Sequence, residues 1–338
     1  MEFGVFDHVD RSGAPLKEYY DARLELVERY DRAGFYSYHI AEHHSTPLGL
    51  SPSPSVFLAA VAQRTKRLRF GPMIYALPLY NPFRLLEEIC MLDQMSGGRL
   101  DMGFGRGASP IELGMFGIEP SEAERHYGEG LEVILQGLTE QRLNFQGDYY
   151  SYDDVPVALE PFQKPYPPMW YGIHSTDSAA RAAKRDLNVL SLDDAALTRT
   201  LTDSYRAARA EMGAAGEAER MIGIGRFIVV ADSDDEARDI ARRGYPLWHE
   251  NFNYLFKLRG SKPRHPRAPD FDGLCAEGQG IAGSPQTVTD YLKEDIATSG
   301  ANYFVGQFSF GSLSQAETLN SIDLFTDHVM PALRDIRT

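Results

Sequence analysis

LRFGPMIYALPLYNPFRLLEEICMLDQMSGGRLDMGFGRG, residues 68–107, holds one complete strand–helix–strand passage with its punctuation. Leu68 to Leu77 is a mostly apolar run that predicts a strand, and Pro78 ends it because proline gives no N–H to a ladder. Asn81 stands where a helix N-cap stands, and Pro82 takes the first helical position, where the missing N–H is not needed. The helix is predicted to run to about Met95. Gly97 and Gly98 turn the chain, and Arg99 to Gly105 returns as a second strand. Two strands joined by a helix of this length predict parallel neighbours, since an antiparallel pair needs only a short turn.

The same unit recurs outward in both directions. Strands are predicted at 2–6, 37–41, 168–173, 187–192, 221–231 and 302–308, which with the two above makes eight. Helical patterns follow them, among them Leu16–Ala33 stopped by Gly34, Ser53–Gln63, roughly 120–140, Ser175–Lys184, Ala195–Met212, and a long one from Ser233 to about Phe256. Strict alternation predicts an α/β fold with a parallel sheet, and eight units predict closure into a (β/α)8 TIM barrel with insertions. An open doubly wound sheet is the alternative, weakened because no GxGxxG follows the first strand. One domain is expected over 1–338. Its insertions fall at about 142–167, where NFQGDYYSY predicts a β-hairpin, and at 257–283, an irregular stretch rich in Gly, Pro and basic residues.

Composition narrows the partners. Lys and Arg number 34 against 48 Asp and Glu, a net charge of −14 that repels nucleic acid and anionic lipid alike. No apolar run is long enough for a membrane span, and the start MEFGVFDHVD predicts no signal peptide. Two cysteines, Cys90 and Cys275, with no CxxC, predict a reducing, cytoplasmic setting.

In a barrel of this kind chemistry gathers where strands end. Asp7 and His8 follow the first predicted strand, and Glu42, His43 and His44 follow the second. These carboxylates and imidazoles, with His174, have the types of a metal site, but there is no HxH after the first strand and no HExxH. One imidazole held by a carboxylate would instead serve as a general base, and at least one of the two histidines is expected to be an ordinary loop residue. In GFGRGASP (103–110), glycines let the backbone approach a ligand while Arg106 reaches an anion. In GIHSTDSAAR (172–181), Ser175, Thr176 and Ser178 open a helix, as an anion site or as an ordinary N-cap. Trp248, Phe252, Tyr254 and Phe256 either line a substrate cavity or pack a helix into the core.

Taken together, residues 34–54 (GFYSYHIAEHHSTPLGLSPSP) and 68–107 resemble the bacterial luciferase-like flavin-dependent monooxygenases, and the likeness extends over most of the chain. The resemblance implies a TIM barrel binding reduced FMN (FMNH2) at its C-terminal end and using O2, through a peroxyflavin, to oxidise a small organic substrate. It implies His43 as the acid/base beside the flavin, and a non-proline cis peptide at Met73-Ile74 against the ring. Arg106 matches an arginine near the phosphate, Arg125 is a further phosphate contact, and Ser175 and Ser178 are phosphate ligands at the helix start. Gly105 and His174 fall at flavin-site positions where the light-emitting luciferases carry cysteine and glutamate. A homodimer is implied, as is an NAD(P)H:flavin reductase that supplies the FMNH2. The 257–283 segment is expected to cover the flavin. Two rivals keep the fold: a deazaflavin-dependent hydride-transfer enzyme and a non-catalytic flavin-binding relative.

Overall fold

In the computed structural model, which describes residues 1–107, 109–213 and 219–336, the passage that opened the reading is a parallel strand pair with its first strand broken in two. The chain runs β1 (Glu2–Asp7), α1 (Leu16–Ala33), β2 (Ser37–Ile40), α2 (Pro54–Arg64), β3 (Arg69–Pro72), β4 (Tyr75–Ala76), α3 (Pro82–Ser96), β5 (Met102–Gly105), α4 (Pro110–Met115) and α5 (Ala123–Thr139). It continues through β6 (Arg142–Gln146), β7 (Ser151–Pro156), β8 (Met169–Gly172), α6 (Thr176–Lys184), β9 (Asn188–Ser191), α7 (Ala195–Glu211), β10 (Ile222–Val230) and α8 (Asp234–Leu258). It ends with α9 (Phe271–Ala276), β11 (Gly280–Gly283), α10 (Pro285–Ser299), β12 (Tyr303–Gln307), α11 (Gln315–Leu324) and α12 (Met330–Leu333).

The sheet order is β3-β2-β1-β12-β10-β9-β8-β5-β4, with parallel pairing at each step. β3 and β4 are halves of one passage, and Phe70 bridges Leu100 across the gap, so the path closes on itself as a (β/α)8 barrel. The continuous strand expected over 68–77 is corrected here: a cis peptide between Met73 and Ile74 separates β3 from β4. Two glycines let the seam close. A Cβ on Gly71 would lie 2.2 Å from the Asp101 carbonyl oxygen, and one on Gly103 would lie 2.2 Å from that of Pro72. A Cβ on Gly105 would meet only the end of the Ile74 side chain, at 2.7 Å. Gly103→Ala should therefore cost more stability than Gly105→Ala, which falls in the range of about 1–3 kcal/mol for overpacking. Denaturant midpoints of the two variants check the order.

The predicted hairpin is β6–β7, an antiparallel pair apart from the barrel. The 257–283 segment is less irregular than expected, since it holds α9 and β11. Phe227 pairs with Gln307 on one edge and with Gly280 on the other, so β11 takes up the β10 edge that β9 leaves after Ser191. Among the described residues no helix is long and apolar enough to cross a membrane.

A buried polar cluster lies behind the end of β1. One guanidinium, Arg23 on α1, sits 3.5 Å from Asp7 and 3.6 Å from Asp10. Asp7 also accepts from the Tyr38 hydroxyl (2.8 Å) and the Val9 amide (2.7 Å). Asp10 accepts from the Gly311 amide (2.8 Å) and the Asn251 side chain (3.4 Å), which ties the β1 loop to α8 and to the loop after β12. Burial pushes the Asp10 carboxyl up to about 7, against the opposing pull of Arg23.

Candidate active site

At the strand ends lies a cavity of about 1010 Å³, walled by the Met73–Ile74 step, by Phe104 to Gly107 at the end of β5, by Tyr171, Gly172 and His174 at the end of β8, and by residues between Arg259 and His265 after α8. A second compartment of about 250 Å³ shares Met73, Ile74, Gly107, His174 and Phe256 with it and reaches His8, His43, Glu112 and Trp248. These sizes suit bound small molecules.

The Glu42-His43-His44 triplet divides. Glu42 is buried, and it accepts from His44 Nε2 (2.9 Å), the Tyr80 hydroxyl (2.7 Å) and the Ala76 amide (3.1 Å). It thereby fastens the β2 loop to β4, and His44 is the ordinary loop histidine. His43 turns to another partner, with its Nδ1 3.1 Å from Glu112 Oε1. A carboxylate only accepts, so Nδ1 is the donor, and in the neutral ring Nε2 then keeps a lone pair, with no hydrogen-bond partner among the described residues. Beside it His8 lies parallel to the His43 ring at 6.0 Å. Burial holds the His8 imidazole well below its ordinary value, helped by His43, Arg267 and Arg23, so it stays neutral.

Glu112 escaped the sequence reading. It lies on α4, six residues long and too short to show a helical period. The available signal was Ser109-Pro110-Ile111-Glu112, the S-x-x-E spacing of a capping box, and Ser109 Oγ does accept from the Glu112 amide at 3.3 Å. The composition of the basic run Lys262-Pro263-Arg264-His265-Pro266-Arg267 carries no sign of its place: Lys262, Arg264 and His265 line the larger compartment, and Arg264, His265 and Arg267 the smaller. His265 stacks on His174 at 4.9 Å, and His174 Nδ1 lies 3.3 Å from Asp193.

The other predicted residues fall unevenly. Met73 and Ile74 line both compartments, and Gly105 and Arg106 the larger. The only ion pair of Arg106 among the described residues is with exposed Glu124 at 3.1 Å, and such surface pairs are exchanged at little cost. Ser175 caps α6 by accepting from the Ser178 amide, which leaves its own O–H as a donor. The Ser178 hydroxyl accepts from the His174 and Ser175 amides and donates to the Ser175 carbonyl, so the cap engages it. Arg125 lines neither compartment. It pairs with Glu122 and Asp148 and lies over the Tyr149 ring. Trp248, Phe252 and Phe256 face the smaller compartment from one side of α8, whereas Tyr254 is exposed. Among the described residues no group of three His, Cys, Asp or Glu side chains has the geometry to hold a metal.

The family model for luciferase-like monooxygenases matches residues 1–303. The uncharacterized protein y4wF of Sinorhizobium fredii is 40% identical over 93% of this chain and 92% of its own length. The oxygenase component of the flavin-dependent trigonelline monooxygenase of Acinetobacter baylyi is 28% identical over 99% of this chain and 96% of its own. Among solved structures, the oxygenating constituent of 3,6-diketocamphane monooxygenase from Pseudomonas putida, in complex with FMN, superposes with a TM-score of 0.82 at 23% identity, covering 98% of each chain. With the match running from residue 1 to residue 303 of 338, the chain belongs to the family of luciferase-like monooxygenases.

Proposed function

We propose that this protein is the oxygenase of a two-component flavin-dependent monooxygenase, taking FMNH2 from a separate NAD(P)H:flavin reductase and oxidising a small organic substrate. The observation that carries the reading is the joined pair of compartments: a large one with a basic rim, in an acidic protein, opening on a small one that holds His43 and Glu112.

The residues present fit a flavin. The Met73–Ile74 step and the Gly105–Gly107 turn offer a wall for the ring system. Arg106 and His174, which line the larger compartment, would hold the phosphate beside the start of α6, where Ser175 keeps an O–H to donate. Bound reduced FMN supplies the electrons that let O2 deliver one oxygen atom to substrate. The protein excludes water, with Phe6, Leu192 and Phe256 as apolar walls shared by the two compartments. His43 Nε2 takes a proton from the reacting partner or returns one to it, while Glu112 holds the ring and steadies the charged imidazolium. The trigonelline relative, named an oxygenase component, supports a separate reductase. Exposed apolar Val56 on α2 and Met91 and Met95 on α3 support a homodimer, and the reading places the protein in the cytoplasm.

Anaerobic titration with FMNH2, followed by rapid mixing with O2 and absorbance monitoring, tests the proposal. Saturable FMNH2 binding and a slow, protein-dependent reoxidation phase are expected. No binding of FMNH2 together with binding of a reduced deazaflavin would overturn it in favour of hydride transfer. Glu112→Gln is expected to lower kcat roughly ten- to a hundred-fold, less than the 10²–10⁴ of a full acid–base contribution, with KM little changed. A change confined to KM would remove Glu112 from its positioning role.

A further inference from the structure

Resting on the monooxygenase reading, one cation of the smaller compartment deepens it. Two carboxylates line that compartment and each is already matched, Glu42 to His44 and Glu112 to His43. Arg267 lines it too, and its guanidinium makes neither a hydrogen bond nor a close ion pair with any described residue. The carboxylate that pulls on it most, Asp193, is occupied by His174 and Ser191. The backbone around Arg267 is nevertheless fixed, because Tyr245 donates to the Ala268 carbonyl at 3.0 Å and Ala268 is buried. A planar guanidinium held at a cavity wall without a counterion is suited to bidentate capture of a carboxylate.

We propose that Arg267 is a specificity-determining residue, and that the substrate is a small, ring-sized compound carrying a carboxylate, which Arg267 binds while the apolar remainder packs on Trp248 and Phe252. The compartment volume of about 250 Å³ suits a ring-sized compound. Trp248 and Phe252, stacked on each other at 5.2 Å and 12°, both border the compartment and give it an apolar aromatic wall. Burial pulls the Arg267 guanidinium below its ordinary value despite the pull of Asp193, Tyr245 and Glu277, as expected of a cation whose full partner comes from outside the chain. Arg264 and His265 at the rim add positive charge along the way in.

The test titrates the purified protein with benzoate, cyclohexanecarboxylate and indole-3-carboxylate, each beside its neutral amide. Trp248, one of two tryptophans, reports occupancy by fluorescence. At least one carboxylate is expected to bind about tenfold or more tighter than its amide, with the preference lost in Arg267→Gln and kept in part by Arg267→Lys. Equal binding of every pair, no binding of any carboxylate, or a preference that survives Arg267→Gln would overturn the proposal. FMN affinity is measured in parallel. Arg267→Gln should leave it within about twofold, and a larger loss would assign Arg267 to the flavin phosphate and overturn the substrate role. If the wild-type protein binds no FMN while the carboxylate preference stands, the flavin reading falls and the Arg267 site remains.

Discussion

His43→Ala is expected to lower the rate of coupled product formation by about 10²–10⁴-fold, the usual range for removing a general acid–base, while FMNH2 affinity stays near that of the wild type. The separation of the two effects follows from geometry. His43 lines only the smaller compartment, whereas the basic residues that would hold a phosphate line the larger. Its Nδ1 is committed to Glu112, so the loss falls on Nε2. Glu42 keeps its three partners in the variant, so the β2 loop stays fastened to β4. Steady-state product analysis beside anaerobic FMNH2 titration reads both quantities. Equal losses of binding and turnover would show that His43 shapes the pocket rather than moving a proton, and unchanged coupled turnover would remove it from the mechanism.

The second large effect concerns stability. Arg23→Met should cost about 3–5 kcal/mol at pH 8, because it strands the buried carboxylates of Asp7 and Asp10 without their shared cation. It also removes the Arg23 Nε bond to the Tyr19 hydroxyl (2.9 Å). The cost should shrink at pH 6. The Asp10 carboxyl is already pushed up to about 7 by burial, above its ordinary 3.8, so its favourable contribution is complete below about pH 4 and is lost as pH rises through 7. Without Arg23, which pulls that value down, Asp10 keeps its proton to still higher pH and sheds part of the penalty at pH 6. Denaturant unfolding of both proteins at the two pH values gives the comparison. A cost that is equal at both, or larger at pH 6, would contradict the shared-cation account.

The eight barrel strands were legible because nearly every one is short, apolar and bounded by glycine, proline or a helix cap. What stayed hidden depends on neighbours distant in sequence. β11 is Gly280-Ile281-Ala282-Gly283, with no alternation to mark it, and it is a strand only because β10 outlasts β9 and leaves an edge to cover. The cis peptide between β3 and β4 was legible through the family resemblance and not through the mostly apolar pattern of 68–77, which reads as one strand. At the site, His43 could be singled out from its triplet only by the family resemblance, and its partner Glu112 lies 69 residues away on a helix of six. Ser175 and Ser178 were legible both as an anion site and as a cap, and the reciprocal capping geometry is what the chain forms on its own.

The closing of the barrel at Gly71 and Gly103 has an evolutionary corollary. A seam where a methyl group would meet backbone oxygen leaves those strands little room to drift. The stretch from Arg259 to Asp270 lies outside that constraint, tied to α8 by bonds such as Tyr245 to Ala268, yet it supplies Arg264 and His265, which border both compartments. Inheritance can therefore hold the oxygen chemistry constant while descendants exchange one short connector and acquire a different diet.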